Sequence, residues 1–354
     1  MPTDEARTVA QHLIGANLAG HDSHGVLRIP QYVQAVRTGQ VKPGSKPQIL
    51  SETTTMASLD AQDGFGQVAA CYATALAIDK ARQGGIATVT VRNSFHTGRI
   101  ASYTSKAAEQ GFVSIVMVNA GGGGQSVAPF GGIARRLATN PISIAAPAPS
   151  GRSVVVDFAT SVAPEGKVRD YFQKGKAVPA GWLIDASGQP TTDPNEFYGS
   201  PGGALLPLGG PVGHKGFGLA FVIDLLAGAL SGAGVCRPDP PPPKDGLFMI
   251  VLDVQRFVPL AVFHQQVMQL IDHVKSCPPA PGFKEVCVPG EIERREEQAR
   301  RASGIEIPER TWAEICQVAA EVDVSPPLEG SPSDGRDGVP LAGGSPHHGQ
   351  PPFN

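Results

Sequence analysis

The chain has 354 residues, of which 41% are hydrophobic, and a formal net charge of -3. This length is enough for two or three lobes around a sizeable core. A small net charge with both signs interspersed argues against nucleic-acid or membrane-surface partners. No apolar run approaches the roughly 20 residues of a membrane-spanning helix, and the acidic start differs from a basic signal region. We therefore expect a cytoplasmic protein with no nucleic-acid or membrane partner.

The five cysteines are scattered along the chain, and no two of them form a Cys-x-x-Cys pair. An odd, dispersed set favours reduced thiols over disulfides or zinc ligands. We accordingly predict a reducing compartment and no metal site.

Hydrophobic periodicity in the first half predicts a helical start followed by alternating strands and helices. The β-branched run at 86–91 indicates a buried strand, and Gly and Pro turns separate the later apolar runs. The predicted elements are helices at 4–19, 67–83 and 100–108 and strands at 86–91, 113–118, 142–146 and 154–156.

The second half predicts fewer strands and ends without a packed element. The largely apolar stretch 218–231 is typical of a buried helix, and a proline-rich connector at 238–243 precedes a strand at 247–252. Helices with apolar faces are expected around 267–271 and 312–322. Residues from 325 onward are rich in Pro, Gly and Ser, which predicts a disordered tail.

The most informative stretch runs from His21 to Pro30 and contains Ser23, His24 and Arg28. A proton shuttle that works near neutral pH beside a cation that can bind a carboxylate indicates acid/base chemistry on an organic acid. Arg28 shares a face with His24 if the segment is helical. The alternative is a surface turn in which Ser23 caps a helix and His24 is solvated.

A second polar cluster, Asn93–Arg99, follows the predicted strand at 86–91 and precedes a predicted helix. His96 would therefore lie where a strand ends and a helix begins, a usual place for catalytic side chains and bound anions in α/β proteins. The alternative is a loop histidine bonded to its own backbone.

Two glycine segments suggest nucleotide binding but do not establish a Rossmann fold. Gly64-x-Gly66-x-x-Ala69 opens a helix, yet residues 56–61 before it make a poor buried strand. Gly121–Gly124 follow a good strand, but Ser126 stands where the third glycine would be. Glycines there would let the backbone approach a phosphate or ring closely, or would form a flexible loop.

Read in order, these motifs resemble the malate/L-lactate dehydrogenase family whose fold is not a Rossmann fold. This group includes ureidoglycolate dehydrogenases, diketogulonate reductases and piperideine-carboxylate reductases. The resemblance extends over about residues 4 to 322 and implies an α/β fold with a mixed sheet and helical N- and C-terminal parts. The matching segments are DSHGVLRIPQY, NSFHTGRIASY, VNAGGGG, LATNPISIAAP, VVDFATS, GWLIDASGQPTTDP, ALLPLGGPVGHKGFGLAF and PGE.

The resemblance also implies how the chain is divided, and relatives carry one more helix before residue 4. We expect a homodimer. The expected parts are 1–85, an N-terminal helical part with the substrate anchor; 86–234, an α/β nicotinamide-binding body; 235–324, a C-terminal strand and helices returning to the first lobe; and 325–354, the tail.

The function implied is NAD(P)-dependent transfer of hydride between nicotinamide and a small 2-hydroxy or 2-oxo acid, such as malate or lactate. Oxidation of a hydroxy acid needs a base near the hydroxyl and an anchor for the carboxylate. Arg28 is the expected anchor. The resemblance offers both His96 and His24 as the proton-transfer group, with Ser23 orienting His24.

Two alternative functions remain open at this point. The first is reduction of cyclic imino acids or diketo acids, which also carry a carboxylate beside a reducible carbon. The second is a catalytically weak relative that acts as a binding or assembly protein. The presence together of Ser23, His24, Arg28, His96 and Lys215 favours an enzyme.

The choice between NAD and NADP is also open, because no residue can be assigned to the adenosine ribose. Lys215 lies between glycines before an apolar helix, which suits a phosphate or ribose contact, although a surface lysine is the alternative. Asp157 is expected to bind cofactor ribose or to cap the chain after it. The expected cofactor-binding residues are Gly98, Arg99, Asn119, Thr139, Asn140, Asp157, Phe158, Ala159, Lys215 and Gly216.

Overall fold

The computed structural model describes residues 1–325, and its elements are numbered in chain order. The strands are β1 (Gln48–Glu52), β2 (Met56–Asp60), β3 (Ile86–Ser94), β4 (Phe112–Asn119), β5 (Ile142–Pro147), β6 (Ser153–Phe158), β7 (Leu183–Ile184), β8 (Pro190–Thr191), β9 (Ala204–Leu205) and β10 (Asp245–Asp253). The α-helices are α1 (Thr3–Leu18), α2 (Ile29–Arg37), α3 (Gly66–Gly84), α4 (Ala101–Ala108), α5 (Glu165–Gln173), α6 (Pro194–Tyr198), α7 (His214–Ile223), α8 (Leu260–Lys275), α9 (Glu291–Ser303) and α10 (Glu309–Glu321).

A seven-stranded mixed sheet in the order β1-β2-β3-β10-β4-β5-β6 forms the centre of the described structure. Only β2 and β3 pair in parallel within it, and the other neighbours are antiparallel. The late strand β10 lies in the middle, where Leu247 pairs with Val91 on one side and Val118 on the other. The central sheet is therefore complete only when the chain has reached residue 253.

Helices cover both faces of this sheet. On one face α3 and α4 pack over a continuous core, and α3 contributes mostly alanines, whose small side chains let the helix lie close to the strands. On the other face α7 and the π-helical turn that follows it pack on Ile142 and Phe248. The predicted helices and strands of the first half are confirmed in these layers.

The interpretation of residues 56–61 as a poor strand was wrong. Residues Met56–Asp60 form β2, which pairs in parallel with β3 and buries Leu59 completely. Only one face of β2 is well buried, so its sequence lacks the continuous apolar run of a central strand.

The segment Gly64-x-Gly66 is a helix entry, as expected, and opens α3. A Cβ at Gly66 would overlap the carbonyl oxygens of Phe95 and His96, so these residues lie directly on the first turn of the helix. The chain itself therefore occupies the place where a Rossmann fold presents its helix N-terminus to a phosphate.

The glycine run Gly121–Gly124 also serves chain packing. A Cβ at Gly121 would overlap the carbonyl oxygen of Lys244, and Cβ atoms at Gly122 and Gly123 would crowd the backbone of 235–243. Neither the expected phosphate approach nor a flexible loop describes this contact, because the glycines seat the proline-rich connector against the end of β4.

The predicted buried helix at 218–231 needs correction in its start and in its burial. The helix begins at His214 and turns into a π-helix at Asp224–Leu230. Phe221 is 52% exposed and Leu225 is 46% exposed, so one side of the helix is open in the single chain. The apolar composition alone could not distinguish a fully buried helix from one with an exposed apolar side.

The remaining elements surround the central sheet. A small sheet in the order β8-β7-β9 forms a second core with α5 and α6. The predicted helices of the C-terminal part are confirmed as α8 and α10, and α9 packs on α1 while α10 packs on α2. Apart from Ser325, the predicted tail lies outside the described residues, and no helix within 1–325 is long and apolar enough to cross a membrane.

The contact at Gly66 predicts a strong effect of a single methyl group. We expect Gly66→Ala to lower the free energy of unfolding by about 1–3 kcal/mol, because the backbone that carries His96 must move away. Thermal and urea unfolding measure this effect. The matched control is Gly15→Ala in α1, where a Cβ meets nothing within 4 Å. The control should gain about 0.5–1 kcal/mol, and an equally stable Gly66→Ala would contradict the packing.

Candidate active site

The first polar cluster forms two short 3-10 turns, Asp22–His24 and Val26–Arg28, rather than one helix. Gly25 separates the turns, and a Cβ there would overlap the side chain of Asn17. Oδ1 of Asn17 accepts a hydrogen bond of 2.8 Å from the backbone N–H of Val26, which ties the second turn to the end of α1. The C-terminal end of α1 therefore fixes the two turns through Asn17, and the relative positions of His24 and Arg28 do not depend on a helix.

Arg28 is oriented by two hydrogen bonds. Its Nε donates to the carbonyl oxygen of Ser23 at 2.7 Å, and its Nη1 donates to Oε1 of Gln31 at 2.8 Å. Nη2 has no hydrogen-bond partner within residues 1–325. It lies close to Gly166 at the start of α5, where a Cβ built on this glycine would be 3.6 Å from Nη2. The guanidinium thus keeps donor capacity for an anion.

Ser23 and His24 form a hydrogen-bonded pair, with Oγ of Ser23 2.9 Å from Nδ1 of His24. The alternative of a serine cap is wrong, because Ser23 makes no capping hydrogen bond to a helix. The ring of His24 stacks on His96, with 5.5 Å between ring centroids and 21° between planes. The fold therefore brings together the two histidines predicted from separate motifs.

His96 lies between the end of β3 and the start of α4, as predicted. Its Nδ1 is 2.8 Å from the hydroxyl oxygen of Tyr32, and that oxygen accepts a hydrogen bond of 2.7 Å from Nε2 of Gln67. The backbone N–H and hydroxyl of Thr97 both donate to Asp245, which fixes the loop from its other side. The alternative of a histidine bonded to its own backbone is therefore wrong.

Burial and positive charge lower the pKa of every histidine in this cluster. The pKa of His24 falls to about 3 through burial and the nearby Arg28, and that of His12 falls to about 4 through burial and Arg99. Burial, Arg28 and His24 hold the pKa of His96 well below its usual range. All three rings are therefore neutral at pH 7, next to a permanent cation.

A further group of expected residues surrounds Arg99. The backbone N–H of Arg99 donates to Nε2 of His12, while Nε of Arg99 is buried without a hydrogen-bond partner in the described chain. Oδ2 of Asp157 accepts from the backbone N–H of Ala101, so this carboxylate caps α4 rather than the chain after residue 158. Burial raises the pKa of Asp157. Gly98 has a positive φ of 76° and leaves no room for a Cβ beside His12.

Asn119 and Asn140 are placed beneath the surface. Each is 1% exposed, and the Nδ2 atoms of both donate to Oδ1 of Asp224, at 3.1 and 3.4 Å. Their own Oδ1 atoms are buried without a hydrogen-bond partner among residues 1–325. Both amides thus meet at a carboxylate of the π-helical turn.

The other expected cofactor residues lie at the edges of these groups. The carbonyl oxygen of Thr139 accepts hydrogen bonds from the backbone N–H and the hydroxyl of Thr160. Phe158 and Ala159 directly precede Thr160, and Phe158 is 36% exposed. Lys215, in the first turn of α7, is exposed, and no side-chain hydrogen bond or ion pair in residues 1–325 engages it. Gly216 has no room for a Cβ, because the carbonyl oxygen of Leu208 occupies that position.

Tyr32, Gln67, His12, Asp245 and Asp224 are residues that the sequence reasoning missed. Tyr32 is the last residue of the segment DSHGVLRIPQY, and Gln67 follows Gly66 in the first turn of α3. A buried glutamine in the first turn of an alanine-rich helix is a signal that could have found this pair, because buried polar groups need partners.

The neutral histidines predict how stability depends on pH. Unfolded histidine has a pKa of about 6.5. Below this pH the unfolded chain binds protons that folded His12, His24 and His96 refuse, so the free energy of unfolding falls as pH decreases, by about 1.4 kcal/mol per pH unit for each histidine. The carboxyl of Asp245 acts in the opposite sense between about pH 4 and its raised pKa of about 6.

We therefore expect His24→Gln to reduce the slope of unfolding free energy against pH, between about pH 5 and 6.5, by about 1.4 kcal/mol per pH unit. Urea unfolding at several pH values measures the slope. His273→Gln, at an exposed position of α8, is the matched control. A slope in His24→Gln equal to that of the wild type would show that His24 is not held neutral.

Comparison with known proteins gives the site its context. The family model described as malate/L-lactate dehydrogenase matches residues 1–316. A malate dehydrogenase of Pyrococcus horikoshii is 38% identical over 92% of this chain and 91% of its own length. An L-lactate dehydrogenase of Cupriavidus necator is 37% identical over 92% of this chain and 94% of its own.

A solved structure shows the same fold. The structure of a putative malate/lactate dehydrogenase from E. coli superposes with a TM-score of 0.84 at 36% identity, covering 94% of this chain and 91% of that one. The expected resemblance and the expected fold class are both confirmed. The chain belongs to the malate/L-lactate dehydrogenase family and is a dehydrogenase that acts on the CH–OH group of hydroxy acids.

Proposed function

We propose that this enzyme oxidises a small 2-hydroxy acid such as malate or L-lactate with NAD or NADP, and that Arg28 binds the carboxylate while His96 takes the hydroxyl proton. The observation that carries this proposal is the meeting of two neutral histidines beside one partly unpaired arginine. The named relatives act on malate and on L-lactate, which favours hydroxy acids over the imino and diketo acids considered above.

The carboxylate of the substrate fits Arg28 for two reasons. Two hydrogen bonds orient the guanidinium, so little side-chain entropy is lost on binding, and Nη2 can still donate. A bound carboxylate also neutralises the cation that lowers the pKa of both histidines. Substrate binding therefore turns poor bases into better ones.

His96 is the better proton acceptor of the two histidines. Tyr32 and the fully buried Gln67 hold its Nδ1 side, which leaves the other nitrogen for the substrate hydroxyl. The ring of His24, whose Nδ1 is hydrogen-bonded to Ser23, stacks on the ring of His96 and lies beside the same site. We assign His24 to substrate positioning, because the group that takes the proton in oxidation, His96, must also return it in reduction.

The residues present fit a nicotinamide dinucleotide, as the family implies. Nε of Arg99 is buried without a hydrogen-bond partner in the described chain, and Lys215 offers an unpaired cation in the first turn of α7. These donors would hold the anionic cofactor, which supplies the hydride acceptor when it is bound. Asn119 and Asn140 would support the cofactor site indirectly, because Asp224 holds both below the surface.

Two further expectations remain proposals. A homodimer is supported by apolar side chains that are exposed on α7, on the π-helical turn after it and on α8. They are Phe221, Leu225, Val262 and Leu270. All five cysteines are free thiols, which supports a reducing cytoplasmic location. The complete cluster of polar residues argues against a catalytically weak relative.

Loss of the proposed base should affect turnover more than binding. We expect His96→Gln to lower kcat for oxidation of malate or lactate about 10²- to 10⁴-fold, with the fold retained. Steady-state kinetics with NAD and NADP, together with circular dichroism, measure both quantities. His273→Gln should behave as the wild type. Near wild-type turnover in His96→Gln would remove His96 from proton transfer.

The carboxylate anchor makes a separate prediction. Arg28→Lys keeps the charge but loses the planar pair of donors, so KM for the hydroxy acid should rise about 10- to 100-fold. The dissociation constant of NADH, measured by its fluorescence, should change little. Arg152→Lys, at an exposed position, is the control. Equal weakening of both ligands would place Arg28 at the cofactor instead.

A further inference from the structure

A chain of hydrogen bonds leads from His96 into the core of the protein. Nδ1 of His96 is 2.8 Å from Oη of Tyr32, and Oη is 2.7 Å from the side-chain amide of Gln67. Tyr32 is 4% exposed, and Gln67 is fully buried. No water can therefore replace either partner without opening the core between α2 and α3.

The direction of this chain decides which nitrogen of neutral His96 carries the proton. If Nε2 of Gln67 donates to Oη of Tyr32, then the phenol donates to Nδ1, and the proton of His96 is on Nε2. If Oε1 of Gln67 accepts from the phenol, then Oη accepts from Nδ1–H, and Nε2 of His96 has a free lone pair. The same two heavy-atom distances serve both directions.

Only the second direction suits the proposed reaction. In oxidation the hydroxyl proton of the substrate would pass to Nε2 of His96, and a bound oxidised nicotinamide would supply the acceptor for the hydride. His96 then carries protons on both nitrogens, and Nδ1–H still needs an acceptor. The reverse reaction starts from that same doubly protonated ring. A phenol that donates to Nδ1 blocks both.

The amide of Gln67 shows why its orientation can change. In the structure its nitrogen faces Tyr32, and its Oε1 is buried without a hydrogen-bond partner among residues 1–325. The two ends of a carboxamide have nearly the same shape, so the pocket that holds one orientation also holds the other.

We propose that Tyr32 and Gln67 are positioning residues, and that Gln67 presents Oε1 to Tyr32 so that the proton of neutral His96 stays on Nδ1. The working chain runs from Nδ1–H of His96 to Oη of Tyr32 and from the phenol proton to Oε1 of Gln67. This inference rests on the proposed role of His96 as the proton acceptor and adds the device that keeps its second nitrogen free.

The surrounding charges keep the hydrogen-bonded groups His96, Tyr32 and Gln67 neutral. Arg28, His24 and His12 face His96, and all three lower its pKa. Burial raises the pKa of Tyr32, and Asp245 raises it further, while Gln67 and Arg28 oppose the rise. Tyr32 therefore remains a phenol that can donate to Gln67 while it accepts from His96.

The direct test is the protonation state of the ring nitrogens in ¹⁵N-histidine-labelled enzyme. The signals of His96 are identified by their loss in His96→Gln. We expect the wild type to carry its proton on Nδ1 at pH 7.5 and Tyr32→Phe to shift it towards Nε2. The matched control is Tyr72→Phe, which removes a hydroxyl from a 41% exposed position on α3. This control should leave the signals unchanged.

Kinetics supply the second test. Tyr32→Phe should lower kcat about 10- to 100-fold, as lost supporting partners do, with little change in KM for the carboxylate substrate. Gln67→Glu offers only acceptors when ionised, so it should keep the proton on Nδ1 and move the acidic limb of kcat/KM to higher pH. Gln67→Met, which makes neither bond, should resemble Tyr32→Phe.

The outcomes separate this inference from the proposed function. A wild-type His96 with its proton on Nε2 during full activity, or an unchanged ring state in Tyr32→Phe, overturns the inference. A loss of melting temperature alone in Tyr32→Phe assigns the pair to stability and also overturns it. If the ring state responds as expected but the wild type oxidises no 2-hydroxy acid, the proposed function fails while the orientation of His96 stands.

Discussion

The structure depends on the close contact between the loop at 95–98 and the first turn of α3. Gly66 makes this contact possible, because any side chain there would collide with the loop backbone. The loop is held on its other side by Asp245, at the start of the central strand β10. Parts of the chain that are distant in sequence therefore set the position of His96. Any shift of His96 must disturb the contact with α3 or the hydrogen bonds to Asp245.

The second constraint is electrostatic. Burial lowers the pKa of His12, His24 and His96, and positive charge lowers it further, from Arg99 at His12 and from Arg28 at His24 and His96. An anion at Arg28 opposes the contribution of that cation at His24 and His96. Substrate binding and base strength are thus coupled through one guanidinium, which explains why the anchor and the base belong in the same small volume.

Local patterns predicted the residues that stand in short motifs. Ser23, His24, Arg28 and His96 could be recognised because their neighbours along the chain already indicate turns between regular elements. The sequence marks Gln67 only as a polar residue in an alanine-rich helix and does not show its partner, since Tyr32 is 35 residues from Gln67 and 64 residues from His96 and only the fold joins them. Long-range polar contacts leave almost no mark on a single sequence.

Composition also failed where one pattern serves two purposes. Glycine segments can expose backbone to a phosphate or let another segment of the same chain pack closely, and at Gly66 and Gly121 another segment packs closely. The stretch from Gly218 onward is largely apolar, yet Leu225 is exposed in the single chain. Residues 56–60 form β2, the second strand from the edge of the sheet, which is buried mainly on one face. Its mixture of polar and apolar residues therefore did not predict a buried strand.

The central claim is that binding of a carboxylate at Arg28 raises the pKa of His96. Calorimetric titration of the enzyme with a non-reactive carboxylate inhibitor, in buffers of different ionisation enthalpy near pH 6, counts the protons exchanged on binding. The account predicts net proton uptake by the wild type and a clearly smaller uptake by His96→Gln. Binding without proton uptake, or equal uptake by both proteins, would contradict it.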